Sequence, residues 1–495
     1  MFSYTDARRV LSSHRSSLRL LAGAVLALSA TSPVAAAHPE TAAISRRPNV
    51  VLLLTDDQRF DTIAALGNRE IRTPNMDRLA ASGVAFTHAH VMGSMHGAVC
   101  MPSRAMLMTS RTLFHLRPNA AVIPPEHLTL PELLRRHGYV TFGTGKWHND
   151  RASFARCFTR GGNVFFGGMS DHLRVPVYDF DPTGQYPEGR NRPGEKFSSE
   201  LFSDTAIRFL HDYKGDKPFF LYVAFTAPHD PRMAPQEYAT LYPTTGVLLP
   251  PNFLPEHPFD NGDLRGRDEQ LAPWPRTPEI ARQHIAAYYA MITHLDAQIG
   301  RILDTLKETG DAENTIVILA GDNGLAVGRH GLMGKQSLYE HSGRVPLLIA
   351  GPGLPRAEKR NALCYLLDIY PTLCDLLEVP TPIEIEGRSL FPVASKGGPG
   401  PRDHLFLSYR DCQRALRTDR WKLILYNVAG QETTQLFDLQ QDPWETKNLA
   451  GDPSQLERVR ELKARLTVEM KQHGDPCDLS KPNWGRPTAQ KPPNR

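Results

Sequence analysis

Asn49-Val50-Val51-Leu52-Leu53-Leu54-Thr55-Asp56-Asp57 is a continuous apolar run that stops on two adjacent carboxylates. A strand with one wet face alternates apolar and polar residues. A strand buried on both faces does not, and that is the mark of a parallel sheet covered by helices. The same form recurs downstream. Tyr139-Val140-Thr141-Phe142 runs into Gly143-Thr144-Gly145-Lys146-Trp147-His148, Phe219 to Phe225 into Thr226-Ala227-Pro228-His229, and Thr315 to Ala320 into Gly321-Asp322-Asn323-Gly324. Ala85–Val91 and Pro346–Ala350 are further strands. Between them lie helical segments, each with its own stop. Thr73-Pro74-Asn75 opens one that ends at Gly83, Leu130–His137 is closed by Gly138, and Ile280–Thr309 by Gly310, with Phe202–Tyr213 as another. The order predicts an α/β fold, with a mostly parallel central sheet sandwiched by helices.

In such sheets ligands bind beyond the carboxyl ends of the strands. Asp56, Asp57, Lys146, His148, His229, Asp322 and Asn323 all fall at such ends. Taken singly, each has an ordinary explanation: a carboxylate pair as a cap, a histidine in the core, a solvated lysine. Bunched at one edge, they predict a site. His330-Gly331-Leu332-Met333-Gly334-Lys335 is a glycine-rich loop after the last of these strands.

The stretch 161–200 is rich in Gly, Pro and Arg and reads as a surface insertion. Residues 231–278 form a second, Pro-rich insertion, too long for an ordinary connection and so functional or at a cleft rim. Asp171, His172 and Arg174 are candidate sugar contacts on the first. Beyond about residue 385 the pattern changes to an antiparallel unit. Arg420–Tyr426 and Gln435–Leu439 are its strands, Asp442-Pro443-Trp444 a turn, and Leu456–Lys471 an exposed helix of mixed charge. The predicted organisation is 1–37 leader, 48–385 catalytic domain, 386–480 smaller C-terminal α+β subdomain with an antiparallel sheet, and 481–495 mobile tail.

Cys100-Met101-Pro102-Ser103-Arg104 precedes the apolar run Ala105-Met106-Leu107-Met108. Pro102 suits a first helical turn, so the cysteine is presented at a helix N-terminus, where unpaired N–H groups attract anions. Arg104 adds an always-charged fork for an oxyanion. A cysteine-phosphatase loop would need Arg six positions after the cysteine, and position 106 is Met.

Cys-Met-Pro-Ser-Arg resembles the Cys-x-Pro-Ser-Arg signature of the type I sulfatases, a family within the alkaline phosphatase superfamily. The match runs on through Ala105, Leu107 and Thr109 to Arg111 and departs at Ser110, where the family usually has Gly. The resemblance extends over residues 48–450 and implies an alkaline-phosphatase-like fold and a sulfatase. It implies oxidation of Cys100 to formylglycine by a dedicated maturation enzyme, and a metal held by Asp56, Asp57, Asp322, Asn323 and residue 100. Oxygen ligands imply a hard cation, Ca²⁺ by preference and Mg²⁺ as the alternative. It also implies that Lys146 and Lys335 bind sulfate oxygens, with Arg104 helping to hold the nucleophile. His148 would be the base and His229 the acid, two roles that could be exchanged. The implied substrate is a sulfated carbohydrate. A phosphonate monoester or phosphodiester hydrolase of the same superfamily is the near rival, and a non-catalytic carbohydrate-binding relative the distant one.

Composition sets the compartment and excludes some partners. Of a formal net charge of +4, residues 1–37 carry +3 through Arg8, Arg9, Arg15 and Arg19 against Asp6. The remainder is close to neutral, which gives no electrostatic case for nucleic acid. That basic start, the apolar run Leu18–Ala30 and Ala35-Ala36-Ala37 read as an export signal, hence a periplasmic or secreted protein. No later stretch is long enough to span a membrane. Six cysteines, Cys100, Cys157, Cys364, Cys374, Cys412 and Cys477, show neither a disulfide framework nor a zinc spacing.

Overall fold

A computed structural model of the protein describes residues 47–116 and 120–486. The expected leader and the last nine residues lie outside them. The longer strands of the main sheet are β1 (Asn49–Thr55), β2 (Gly83–His90), β3 (Val140–Lys146), β4 (Arg160–Phe165), β5 (Phe219–Ala224), β6 (Thr315–Gly321), β7 (Leu347–Ala350) and β8 (Glu358–Tyr365), and the short strand Arg344–Val345 adds to β2. β1 is central, in parallel register with β5 on one side and β6 on the other. Beyond β5 lie β3 and then β4, also parallel; beyond β6 come β7 and β2. β8 runs parallel to β2.

The apolar run of β1 is explained by what covers it. Val50, Leu52 and Leu54 face one core, shared with Ala105, Met106, Leu107 and Met108 of helix α1 (Cys100–Thr109). Val51 and Leu53 face the other, built on helices α2 (Ser198–Asp212) and α3 (Pro278–Glu308). No residue of the strand meets water, and from Val50 to Leu54 none is polar.

β7 is antiparallel to both of its neighbours. The chain leaves β6 at the carboxyl edge and stays there through residues 322–346. It then re-enters the sheet from that same edge, so β7 has to run backwards. This detour keeps Asp322, Asn323 and Lys335 together at one rim.

A second sheet is made of β9 (His404–Tyr409), β10 (Gln413–Thr418), β11 (Trp421–Val428) and β12 (Gln431–Asp438), all antiparallel. On its outer side β9 pairs in parallel with Gly93-Ser94, which forms the edge of this sheet shortly before the helix that Cys100 opens. Helix α4 (Leu456–Gln472) closes it through Leu462, Leu466 and Met470, so this helix is exposed on one face only.

Two expectations need correction. The segment 161–200 is not all surface insertion, because its start belongs to β4, whose Val164 and Phe165 are buried, and its end opens α2. Glycines at 161 and 162 hid the strand. The tail is not free from its first residue: Trp484 is 2% exposed and Arg486 pairs with Asp411 at 2.8 Å. An indole this large contributes about 2–3 kcal/mol when buried, enough to hold a short segment down.

One glycine shows how the sheet shapes its rim. Gly145 has φ +91° at an irregularity in the β3–β4 register, and a Cβ there would lie 1.9 Å from the carbonyl oxygen of Ala224 in β5. Lys146 follows directly. Gly145→Ala is therefore expected to cost about 2–3 kcal/mol in a urea unfolding curve, through the wrong-handed backbone and the collision with β5.

Candidate active site

The head of α1 and the carboxyl ends of β1, β3, β5 and β6 supply the site. Cys100 is the first residue of α1 and is 1% exposed. Its Sγ lies 3.3 Å from His148 Nδ1, 3.7 Å from Lys146 Nζ and 3.9 Å from Lys335 Nζ. Burial pushes the thiol up to about 11 even though both lysines pull the other way. As a thiol this residue is protonated at neutral pH and is a poor nucleophile.

Arg104, one turn along the helix, is fully buried. Its Nε and Nη2 both reach Asp322 Oδ2 at 2.9 Å, and Nη1 donates to the carbonyl oxygen of Lys146 at 2.5 Å. Nη2 also lies 3.6 Å from Asp56. The guanidinium thus ties α1 to the ends of β6, β3 and β1 together. None of its hydrogen bonds goes to Cys100 itself.

Three carboxylates and three cations share this volume. Lys146 pairs with Asp56 and donates to the carbonyl oxygen of Gly168 at 2.6 Å. Lys335 donates to Asp57 Oδ1 at 2.6 Å, and so does Asn323 Nδ2 at 2.5 Å. Burial works against ionisation of Asp56, but Lys146 and the neighbouring cations hold it well below the usual carboxylate range. Asp322 goes the other way, to about 7, through burial and the adjacent Asp56. For Lys335, burial works against the charge, but Asp57 together with the other acidic groups around it outweighs burial and keeps the ammonium charged.

Asp57 and His148 both have left-handed backbones, φ 66° and 67°. For residues with a side chain this is uncommon and costs about 1–3 kcal/mol each. Each is the second residue past a strand, in the turn that leaves the sheet edge. Tyr288 secures the first by donating to the carbonyl oxygen of Asp57 at 2.5 Å.

The two histidines face the centre from different sides. His148 is beside Cys100, and burial together with Lys146 holds it well below its usual value, so it is a neutral imidazole at neutral pH. His229 Nδ1 lies 2.8 Å from the carbonyl oxygen of Asp230, which places the proton there and turns Nε2 toward Asp57, at 3.7 Å.

The donor set fits a hard cation. Asp56 Oδ1, Asp57 Oδ2 and Asn323 Oδ1 are buried oxygens with no hydrogen-bond partner. Ligand atoms of Asp56, Cys100 and Asp322 lie within 4.8 Å of one another, as do those of Asp56, Asp57 and His229. Unsatisfied buried oxygens are costly unless something positive answers them. The structure thus brings together Cys100, Arg104, Lys146, His148, His229, Lys335, Asp56, Asp57, Asp322 and Asn323.

The three proposed sugar contacts are elsewhere. His172 is 1% exposed; its Nε2 lies 3.0 Å from the carbonyl oxygen of His229 and its Nδ1 2.7 Å from Ser198 Oγ. It supports the backbone of His229. Asp171 and Arg174 are exposed, and Asp171 caps its own loop at Leu173. The cavity over Cys100, about 260 Å³, is lined instead by Met169, Asp263, Arg267, Asp268, Gln336 and Arg410, along with the central residues. Asp263, Arg267 and Asp268 come from the second insertion, where a cleft rim was expected. Nothing in the pattern around Arg410 marked it.

Comparison with known proteins agrees with this geometry. A sulfatase family profile matches residues 48–379. The chain belongs to the sulfatase family. It is a sulfuric ester hydrolase with the fold of the alkaline phosphatase superfamily. A second profile, the C-terminal region of N-sulphoglucosamine sulphohydrolase, matches residues 328–472 of this sulfatase. A sulfatase of Formosa agariphila is 30% identical over 85% of this chain and 86% of its own. An N-acetylglucosamine-6-O-sulfatase of Bacteroides thetaiotaomicron is 26% identical over 96% and 94%. A solved structure in complex with its substrate D-glucosamine-2-N,6-O-disulfate superposes with a TM-score of 0.74 at 23% identity, over 89% of this chain and 100% of that one. Among the described residues no helix is long and apolar enough to cross a membrane.

The family's departure at Ser110 also has a structural answer. Ser110 ends α1 with φ 53°, a conformation glycine adopts freely, and its Oγ donates to the carbonyl oxygen of Leu367 at 2.8 Å. That bond offsets part of the backbone cost.

A divalent cation returned to chelator-treated sulfatase is expected to raise its melting temperature, by about 2.7 kcal/mol of stability at a hundred times the dissociation constant. Asp57→Asn should remove most of that gain in the same thermal scan.

Proposed function

We propose that this sulfatase removes sulfate from a sulfated saccharide, using Cys100 converted to formylglycine and a Ca²⁺ ion held by Asp56, Asp57, Asp322 and Asn323. The observation that carries the reading is the surroundings of residue 100: a helix head with two ammonium groups, an imidazole and three buried carboxylates gathered around it. The saccharide part rests on relatives, one named an N-acetylglucosamine-6-O-sulfatase and one solved with a glucosamine disulfate.

A sulfate ester resists attack because its anionic oxygens shield the sulfur, so catalysis needs neutralised charge, a placed nucleophile and a proton for the leaving alkoxide. The hydrated formylglycine supplies one hydroxyl for attack and a second whose collapse releases sulfate, and the ion supplies Lewis-acid neutralisation. Lys146 and Lys335, the ammonium groups closest to position 100, bind the sulfate oxygens from two sides. His148 touches position 100 through Nδ1 and, being neutral, accepts the proton lost there. His229, with Nδ1 committed to a carbonyl, offers Nε2 to the leaving oxygen. Arg104 positions rather than reacts: it fixes Asp322 and the backbone of Lys146. Conversion of Cys100 requires a maturation enzyme, and the basic, apolar start of the chain directs export to the periplasm or beyond.

Cys100→Ala is expected to lose sulfate release by at least 10³-fold, the scale on which a removed nucleophile acts, while its unfolding curve stays close to that of the parent. Peptide mass analysis of active protein should show the aldehyde at position 100; full activity with an unaltered thiol there would overturn the nucleophile. Rates on an aryl sulfate should exceed those on the matching aryl phosphodiester, and the opposite order would favour the phosphodiesterase.

A further inference from the structure

We propose that Arg410 is a specificity residue that binds a second anionic group of the substrate, a sulfate or a carboxylate other than the ester being cleaved. The inference rests on the reading of the substrate as a sulfated saccharide and goes beyond it in naming a second recognition element.

Lys335, Arg267 and Arg410 are the lysine and arginine side chains lining the cavity over Cys100. Lys335 is buried against Asp57. Arg267 is held by two carboxylates, with Nη2 3.3 Å from Asp230 and Nε 2.8 Å from Asp268. Its charge is already answered, and so is that of Lys335. Arg410 differs. Its ion contact is to Asp263 Oδ1 at 3.7 Å, beyond hydrogen-bond reach, and the other oxygen of Asp263 accepts from the Tyr409 hydroxyl. Burial moreover pushes Asp263 up, toward the neutral acid.

The arginine is held in place from its backbone. It lies in the turn between β9 and β10, its N–H donates to the carbonyl oxygen of Ser94 at 2.7 Å, and its φ is 44°. A Cβ built on Gly97 would lie 3.0 Å from Arg410 Nη2, so the guanidinium stands over the loop three residues before Cys100. Its side chain is 41% exposed, whereas Cys100 and Lys335 beneath are almost wholly covered. The fork therefore sits at the mouth and the reacting group at the floor.

Size decides what can reach it. A cavity of about 260 Å³ falls below the usual range of ligand pockets, about 300–1,000 Å³, and accommodates a single sulfated ring. With one sulfate at Cys100, another substituent of that ring, or a group on the sugar next to it, lies at the mouth. A guanidinium fork pairs with sulfate and carboxylate alike, through two parallel hydrogen bonds.

The test compares matured full-length enzyme with Arg410→Gln and Arg410→Lys on three saccharides. One carries only the scissile sulfate, one adds a second sulfate, and one adds a uronate carboxylate. Wild type should prefer a doubly anionic substrate by about tenfold in kcat/KM, the value of one charge-assisted hydrogen bond. Arg410→Gln should cut that preference to within about twofold, chiefly through KM, and Arg410→Lys should retain part of it. Whichever added group carries the preference identifies the anion. Equal losses on singly and doubly anionic substrates in both variants would overturn the proposal, as would a wild type that cleaves sulfate esters without favouring a second anion. A matured wild type that cleaves no sulfate ester at all would instead refute the functional reading beneath it.

Discussion

The grip of Arg104 on Asp322 is the contact without which the other parts of the site have no fixed positions. A guanidinium and a carboxylate, both out of water, hold a helix from one crossover against a strand end from another, and the same side chain fastens the backbone of Lys146. Buried ion pairs add little net stability compared with an apolar substitute, and breaking one by removing a partner costs about 3–5 kcal/mol. What such a pair contributes here is geometry: the head of α1, Asp322 and the backbone of Lys146 are referred to a single planar group.

Around that pair the charges balance locally. Asp56, Asp57 and Asp322 stand against Arg104, Lys146 and Lys335, each carboxylate touching at least one cation. A divalent ion would add two positive charges, and an arriving sulfate ester would offset one of them. The strained turns at Asp57 and His148 belong to the same economy of space. They aim side chains at the centre from strands whose other residues are all committed to the core.

Much of this was legible in the chain. Unbroken apolar runs reported strands covered on both sides, and the charged residues that follow them marked the carboxyl edge. The helix head at Cys100 was legible from Pro102 and Arg104. Less legible was whatever depends on distant partners. β4 was masked by Gly161, which packs against Gly143 of β3, and Gly162, which packs against Thr205 of α2, neither carrying a hydrophobic signal of its own. His172 looked like a loop polar, yet its partners His229 and Ser198 lie 57 and 26 residues away. Trp484 sits in a polar, proline-rich stretch and shows its burial only once the second sheet is in place. The part played by Arg410 is set by Gly97 and Ser94, more than 300 residues back, and no local periodicity carries that information.

The junction of β9 with Gly93-Ser94 brings a hairpin turn to the lip of a centre otherwise built from strand termini. Turns of this kind accept altered residues and altered length without disturbing the ladder behind them. With Arg410 in the role proposed for it, selection lies on a turn and bond breaking on strand ends, so the turn can change while the strand ends beneath it stay as they are.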